Sequence, residues 1–140
     1  KMLEVFGTVL DAITFAVAAI GAISLVVGGV GILTILTIAV AERTSEIGLL
    51  RAIGATQRAI LLLFLGEAAL LAAIGGAAGL ALGWGIAGVL KLVLPALPVH
   101  TPWHYAVLAE AVAVVVGLAA GVLPARRAAR LDPLEALRSE

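Results

Sequence analysis

The sequence predicts an all-α integral membrane protein, a helical bundle of three transmembrane helices with a short helix in a cytoplasmic loop. Residues 12–41 form a run of thirty positions without a charged side chain, whereas a helix needs only about 20 apolar residues to cross a bilayer. The whole chain is 63% hydrophobic and 13% charged, with a mean hydropathy of +1.20. Soluble domains carry roughly 25% charge, so the chain belongs in lipid.

The first span, residues 12–41, would reach roughly 45 Å as a helix, which exceeds the ~30 Å hydrocarbon core. The helix must therefore tilt or project on the side away from Arg43. Residues 1–11 place apolar side chains at helical spacing and predict an outer stalk that continues this span. A frayed interfacial end is the alternative for the same residues.

Two further apolar segments, residues 59–90 and 103–123, are interrupted only by Glu67 and Glu110, respectively. Helices are expected for both, because spanning backbone must satisfy its own hydrogen bonds and the alternating strands of a barrel are absent. Residues 91–102 form the predicted outer loop, since three prolines exclude regular helix there. Pro124 is expected to end the third span.

Arginine placement predicts the orientation. Seven arginines lie in residues 42–58 and in the tail, residues 124–140, whereas the opposite side carries only Lys1 and Lys91 as strong bases. The excess places the loop and the C-terminal tail in the cytoplasm and the N-terminus of this segment outside.

The composition also excludes several classes. Nine basic and nine acidic residues cancel, so the net charge is zero and gives no indication of a nucleic-acid partner. The absence of cysteine excludes disulfides and thiolate sites. His100 and His104 have a metal-binding spacing, but Pro102 falls between them and no third ligand is near. No phosphate-binding glycine–lysine motif and no nucleophile–base pair occur. We therefore predict that the chain has no catalytic, cofactor-binding or metal-binding residues and that it is not an enzyme.

Small residues recur at intervals that predict helix packing, because lipid gives helices little hydrophobic reason to associate and glycine permits close approach. A hinge in a moving helix is the alternative function. The predicted packing positions are Gly28, Gly29, Gly75, Gly79, Gly83, Gly117 and Gly121.

Ionisable residues within spans are candidates for function by default. Glu67 lies near the cytoplasmic boundary and is expected to snorkel or to pair with a basic neighbour as a structural partner. Glu110 is deeper in its span. An ion-coupled carrier would use such groups, but two carboxylates do not form a relay.

Residues 42–58 predict a short amphipathic helix, with Ile47, Leu50 and Ile53 along one side and Glu46 and Arg51 nearby. Gly54 is placed to end this helix in the left-handed conformation, and Thr56 can cap the next helix. A dedicated helix between two spans indicates a surface offered to the membrane or to another protein. A merely solvated connector is the alternative.

The tail carries a basic stretch after Pro124, formed by Arg126, Arg127 and Arg130, that can lie on anionic lipid headgroups. Asp132 and Pro133 then open a capping box that predicts a further helix.

These segments together resemble the FtsX-like permease family, the membrane subunits of ABC transporters of the macrolide-exporter and lipoprotein-releasing kind. The resemblance covers nearly the whole chain. The residues that show the resemblance are 24–32 (SLVVGGVGI), 42–48 (ERTSEIG), 51–55 (RAIGA), 67–68 (EA) and 123–137 (LPARRAARLDPLEAL).

The resemblance implies that the chain is the last three of four spans, without the first span and a large outer domain. The loop helix would be a coupling helix docked on a cytoplasmic ATPase subunit, and a second permease copy or paralogue would complete a transporter in the inner (plasma) membrane. Ser45 departs from the basic residue common in the family, which puts the charge pairing with the ATPase in doubt. The implied mechanism is mechanotransmission for efflux or for lipoprotein or peptide export, and a small oligomeric scaffold or pore is the alternative. The positions implied at the ATPase interface are Glu46, Ile47, Gly48, Arg51, Gly54 and Ala55.

Overall fold

Four helices make up the parts of the chain that the structure, a computed structural model, describes: residues 1–95 and 102–132. They are α1 (Met2–Glu42), α2 (Thr44–Ala52), α3 (Gln57–Val93) and α4 (Trp103–Ala129), and these ranges contain no strand. The three long helices α1, α3 and α4 are each long and apolar enough to cross a membrane. The prediction of an all-α bundle of three transmembrane helices is confirmed.

Helix α1 is continuous over 41 residues, so the predicted stalk continues the first span as helix. Its length is roughly 60 Å, about twice the hydrocarbon core. Hydroxyl groups within it are satisfied locally: Thr34 Oγ1 donates to the Val30 carbonyl at 2.8 Å and Thr37 Oγ1 to the Leu33 carbonyl at 2.7 Å. These side chains therefore need no partner on another helix to lie in an apolar environment.

Two helices run past the predicted ends of their spans. Helix α3 runs on to Val93, so Lys91 is helical. Helix α4 continues through Pro124 to Ala129, although proline removes one backbone donor. Pro124 is fully buried, and Ala125 beside it is also buried, so packing compensates for the lost hydrogen bond. Whether the membrane boundary lies at Pro124 stays a prediction.

The buried core lies at the end of the bundle where α1 ends, α3 begins and α4 ends, with α2 packed against it. Helix α4 contacts α3 most extensively and α1 next, whereas α1 and α3 contact each other little. In the opposite half, no described side chain of α1 before Gly29 is buried, and none of α3 after Ala72 is. The core cluster comprises Leu36, Val40, Ile47, Ile60, Phe64, Ala68, Ala125, Ala128 and Ala129.

Some predictions fall outside the described residues. Pro98 and His100 of the predicted outer loop lie in residues 96–101, and the capping-box helix predicted from Pro133 onward lies in residues 133–140.

Candidate functional site

The corner between α1 and α2 is fixed by backbone and hydroxyl hydrogen bonds. The Arg43 N–H donates to the Ala39 carbonyl at 3.0 Å and closes α1, and the Arg43 carbonyl accepts from the Ile47 N–H at 3.0 Å in α2. The Thr44 hydroxyl lies 3.0 Å from the Val40 carbonyl, to which it donates. The helix is thus interrupted at Arg43, and α2 starts at Thr44, directly after the end of α1.

Helix α2 is anchored by one apolar side chain. Ile47 is 3% exposed and belongs to the core cluster, and the adjacent Gly48 is buried as well. Leu50 and Ile53, which the sequence places on the same side as Ile47, are 40% and 75% exposed. The expected apolar stripe is therefore split, because the core reaches only the first turn of α2 and leaves the second turn outside.

The turn after α2 has the predicted geometry. Gly54 has a φ of +104°, and the Ala55 N–H donates to the Leu50 carbonyl at 2.9 Å. The Thr56 hydroxyl then accepts from the Ala59 N–H at 3.2 Å and caps α3. Both predictions, a left-handed Gly54 and a Thr56 cap, are confirmed, and Ala55 packs against the core cluster.

The charged groups of α2 differ in environment. Glu46 is exposed, whereas Arg51 is half-buried and its Nε is shielded from solvent without a hydrogen-bond partner in the described part of the chain. A shielded guanidinium donor without an acceptor costs free energy.

One ion pair links the α1–α2 corner to α3. Arg43 Nη1 lies 3.8 Å from Glu67 Oε1, and the side chains are 53% and 34% exposed. Glu67 therefore has the basic partner that its position in the sequence predicts.

The predicted tail residues separate into buried and exposed groups. Pro124 is buried inside α4, whereas Arg126 and Arg127 are exposed in its last turn and Arg130 is its C-cap. Positive charge at a helix C-terminus interacts favourably with the helix dipole. Asp132 is exposed, and Pro133 lies outside the described residues.

Three of the predicted packing glycines lie where helices meet. A Cβ built on Gly121 would lie 2.5 Å from the Cβ of Ala68, and one on Gly117 would overlap the Cβ of Ala72. A Cβ on Gly29 would lie 3.1 Å from the Cγ1 of Val116. At Gly117 and Gly121, helix α4 therefore approaches α3 at distances that only glycine allows, whereas at Gly29 the Val116 side chain would have to shift by a few tenths of an ångström.

The other predicted glycines have no such contact within this chain. Cβ atoms built on Gly28, Gly75, Gly79 and Gly83 would meet nothing within 4 Å. Gly28 and Gly75 border an apolar cavity of about 370 Å³ between α1, α3 and α4. A packing role for these four glycines stays a prediction that concerns other molecules.

The contact face of α3 is instead a second small-residue series, formed by Ala68, Ala72 and Gly76. Gly76 faces Glu110, whose Oε2 would lie 2.5 Å from a Cβ built there and is buried without a hydrogen-bond partner in the described ranges. This series has the same four-residue spacing as Gly75, Gly79 and Gly83. If alanine is counted as a small residue, the sequence predicts two candidate contact faces on α3, but it does not indicate which of them packs against α4.

The fold and the α2 face define a class: a polytopic membrane protein with a short helix anchored across one end of its bundle. The chain belongs to the FtsX-like permease family, since the model of the FtsX-like permease C-terminal domain matches residues 18–133.

Curated relatives are similar over most of the chain. The macrolide export ATP-binding/permease protein MacB of Azoarcus sp. (strain BH72) is 45% identical over 134 residues, which cover 93% of this chain and 20% of that protein. The pyoverdine export ATP-binding/permease protein PvdT of Pseudomonas putida is 45% identical over 130 residues, with the same shares. The uncharacterized ABC transporter permease YknZ of Bacillus subtilis is 39% identical over 134 residues, 96% of this chain and 34% of that protein. The chain spans a fifth to a third of the length of these relatives.

Proposed function

We propose that this chain transmits the motion of a cytoplasmic ABC ATPase through α2 to the outer side of the membrane, as the membrane part of an exporter. The observation that carries the proposal is the division of α2 between two environments. Ile47 is buried in the core shared by all three spans, whereas Glu46 and Ile53 face outward. The first turn of α2 is thus fixed to the bundle through Ile47, whereas the exposed Glu46 and the C-terminal end of α2 are open to a partner.

A force on α2 would reach the spans through packed side chains. Ile47 shares its cluster with Leu36 of α1, Phe64 of α3 and Ala125 of α4. Close-packed interiors have low compressibility and transmit strain. The hydrogen-bonded junction at Arg43 adds a covalent route into α1, and this continuous helix would carry the motion to the proposed outer side.

The proposed partners are a cytoplasmic ATP-binding subunit or domain and a second permease copy or paralogue. Support for the first comes from the two export relatives, whose names describe ATP-binding/permease proteins. The proposed place is the inner membrane, with the N-terminus of this segment outside and its C-terminus in the cytoplasm. The cargo would be a drug, a lipoprotein or a peptide.

Charge reversal tests the interface. Glu46→Lys is expected to abolish copurification of the ATPase with the intact permease, because the exposed carboxylate faces the partner. Asp11→Lys is the control, since Asp11 is also an exposed carboxylate but lies near the opposite end of α1. Unchanged association of the Glu46→Lys protein would refute the interface.

The absence of cysteine from this chain allows a direct topology test. Ser45→Cys places one thiol at an exposed position of α2. A membrane-impermeant maleimide is expected to label it in inverted vesicles and not in intact cells. Labelling of intact cells would place α2 outside and exclude a cytoplasmic ATPase as its partner.

An ion-coupled carrier is a second candidate, favoured only by Glu110, whose Oε2 is buried without a hydrogen-bond partner in the described ranges. It predicts that Glu110→Gln abolishes transport in vesicles, whereas the mechanical proposal predicts that transport persists.

A further inference from the structure

A basic cavity lies where the first turn of α3 meets the last turn of α4. Arg58 lines it from α3, and Arg126 and Arg130, one helical turn apart, line it from α4. The cavity has a volume of about 160 Å³. Its remaining lining residues are Gln57, Leu61 and Ala129.

The three guanidinium groups are not neutralised within the described chain. None of them has an ion-pair partner there, and no carboxylate lines the cavity. Asp132 follows two residues after Arg130 but has an interaction of its own. Arg126 and Arg130, spaced i and i+4 on one helix, repel each other, so an anion between these groups would be stabilised.

The wall of the cavity is partly apolar. Leu61 and Ala129 line it, and the next α3 residues, Leu62 and Leu63, are 67% and 60% exposed on the apolar span. A ligand that fits this boundary has an anionic head for the arginines and a hydrocarbon tail for the leucines. An acidic protein surface would not use the leucines.

We propose that Arg58, Arg126 and Arg130 form a binding site for the phosphate headgroup of an anionic phospholipid. Arginine presents a planar fork that binds phosphate oxygens in pairs, and basic pockets between spans hold anionic headgroups. The lipid would join the start of α3 to the end of α4 at the level where both helices leave the membrane. The site does not depend on an ATPase partner.

Lipid titration of the intact membrane protein, purified in neutral detergent, tests the site. The ligand is short-chain phosphatidylglycerol, compared with short-chain phosphatidylcholine and with sodium phosphate, and binding is read by native mass spectrometry and by thermal unfolding. Arg58→Gln, Arg126→Gln and Arg130→Gln are each expected to weaken phosphatidylglycerol binding by about fivefold.

Arg127→Gln is the matched control, because Arg127 is exposed on the same turn of α4 but does not line the cavity. It is expected to change binding by less than about twofold, since salt screens an exposed charge outside the site. Arg130→Lys keeps the charge but loses the fork, so binding between that of the wild type and that of Arg130→Gln is expected while helix content stays constant.

Four results would overturn the proposal. Equal losses for all four glutamine variants would mean diffuse attraction and no site. Equal binding of phosphatidylcholine would remove the role of charge. Equal protection by sodium phosphate would make a free anion the ligand. Unchanged lipid binding, together with loss of a copurifying acidic protein, would make the arginines a protein interface.

Discussion

Gly121→Ala tests whether the contact between α3 and α4 depends on glycine. The added methyl group would lie 2.5 Å from the Cβ of Ala68, whereas its next neighbours, Leu36 Cδ1 and Leu65 Cδ2, lie at ordinary distances of 3.5 and 3.9 Å. Alanine cannot move its Cβ without moving backbone, so α3 and α4 must separate. Overpacking of this kind costs about 1–3 kcal/mol. Helix propensity offsets about 0.5–1 kcal/mol of that cost, so we expect a net loss of about 1–2 kcal/mol.

Unfolding of the intact protein in mixed detergent micelles, titrated with sodium dodecyl sulfate, measures this loss. Gly83→Ala is the matched control, because a Cβ there meets nothing within 4 Å and only the propensity gain remains. Ala68→Gly should rescue Gly121→Ala, since it removes the one atom that obstructs the new methyl group, and the coupling free energy should be about 1 kcal/mol or more. Equal stabilities of Gly121→Ala and Gly83→Ala, or failure of the rescue, would refute the argument.

Three further perturbations concern the corner and turn around α2. Gly54→Ala has open space but a φ of +104°, so it should cost about 1–2 kcal/mol in the same unfolding assay, and an unchanged midpoint would contradict the assigned conformation. Thr56→Ala removes the acceptor of the Ala59 N–H and should cost about 1 kcal/mol, whereas Thr56→Ser should restore most of it. For Arg43→Gln and Glu67→Gln, a double-mutant cycle should give a coupling free energy of at most about 1 kcal/mol that falls with salt, because both side chains are partly exposed; a larger, salt-independent value would contradict this surface geometry.

Local sequence signals predicted the elements of this fold. Long apolar runs, one without charge and two with a single glutamate each, predicted the three spans, and the turn after α2 followed from the left-handed preference of glycine at Gly54 and from the hydroxyl of Thr56. These signals act within a few residues of the chain. The structure therefore agrees with them wherever no distant contact competes.

Features that depend on neighbouring helices could not be predicted from the sequence. Pro124 was expected to end the third span; the helix itself runs on through Pro124, which is buried at the core, and the membrane boundary stays a prediction. Gly75, Gly79 and Gly83 were predicted to pack against other helices; within this chain the contact face of α3 is the series that contains Ala68, so a packing role for these glycines stays a prediction. Spacing alone gives equivalent faces on one helix, and only the position of α4 distinguishes them.

The concentration of buried side chains at one end gives the molecule a gradient of local stability. No described side chain of α1 before Gly29 is buried, whereas α3 and α4 still pack on each other at Gly76 and Glu110, so parting this half of α1 from the other two helices breaks few contacts. The ends that meet near Ile47 can separate only by opening the core. We therefore expect α1 to separate from α3 and α4 most easily at the end away from α2, and amide exchange of α1 to be fastest there.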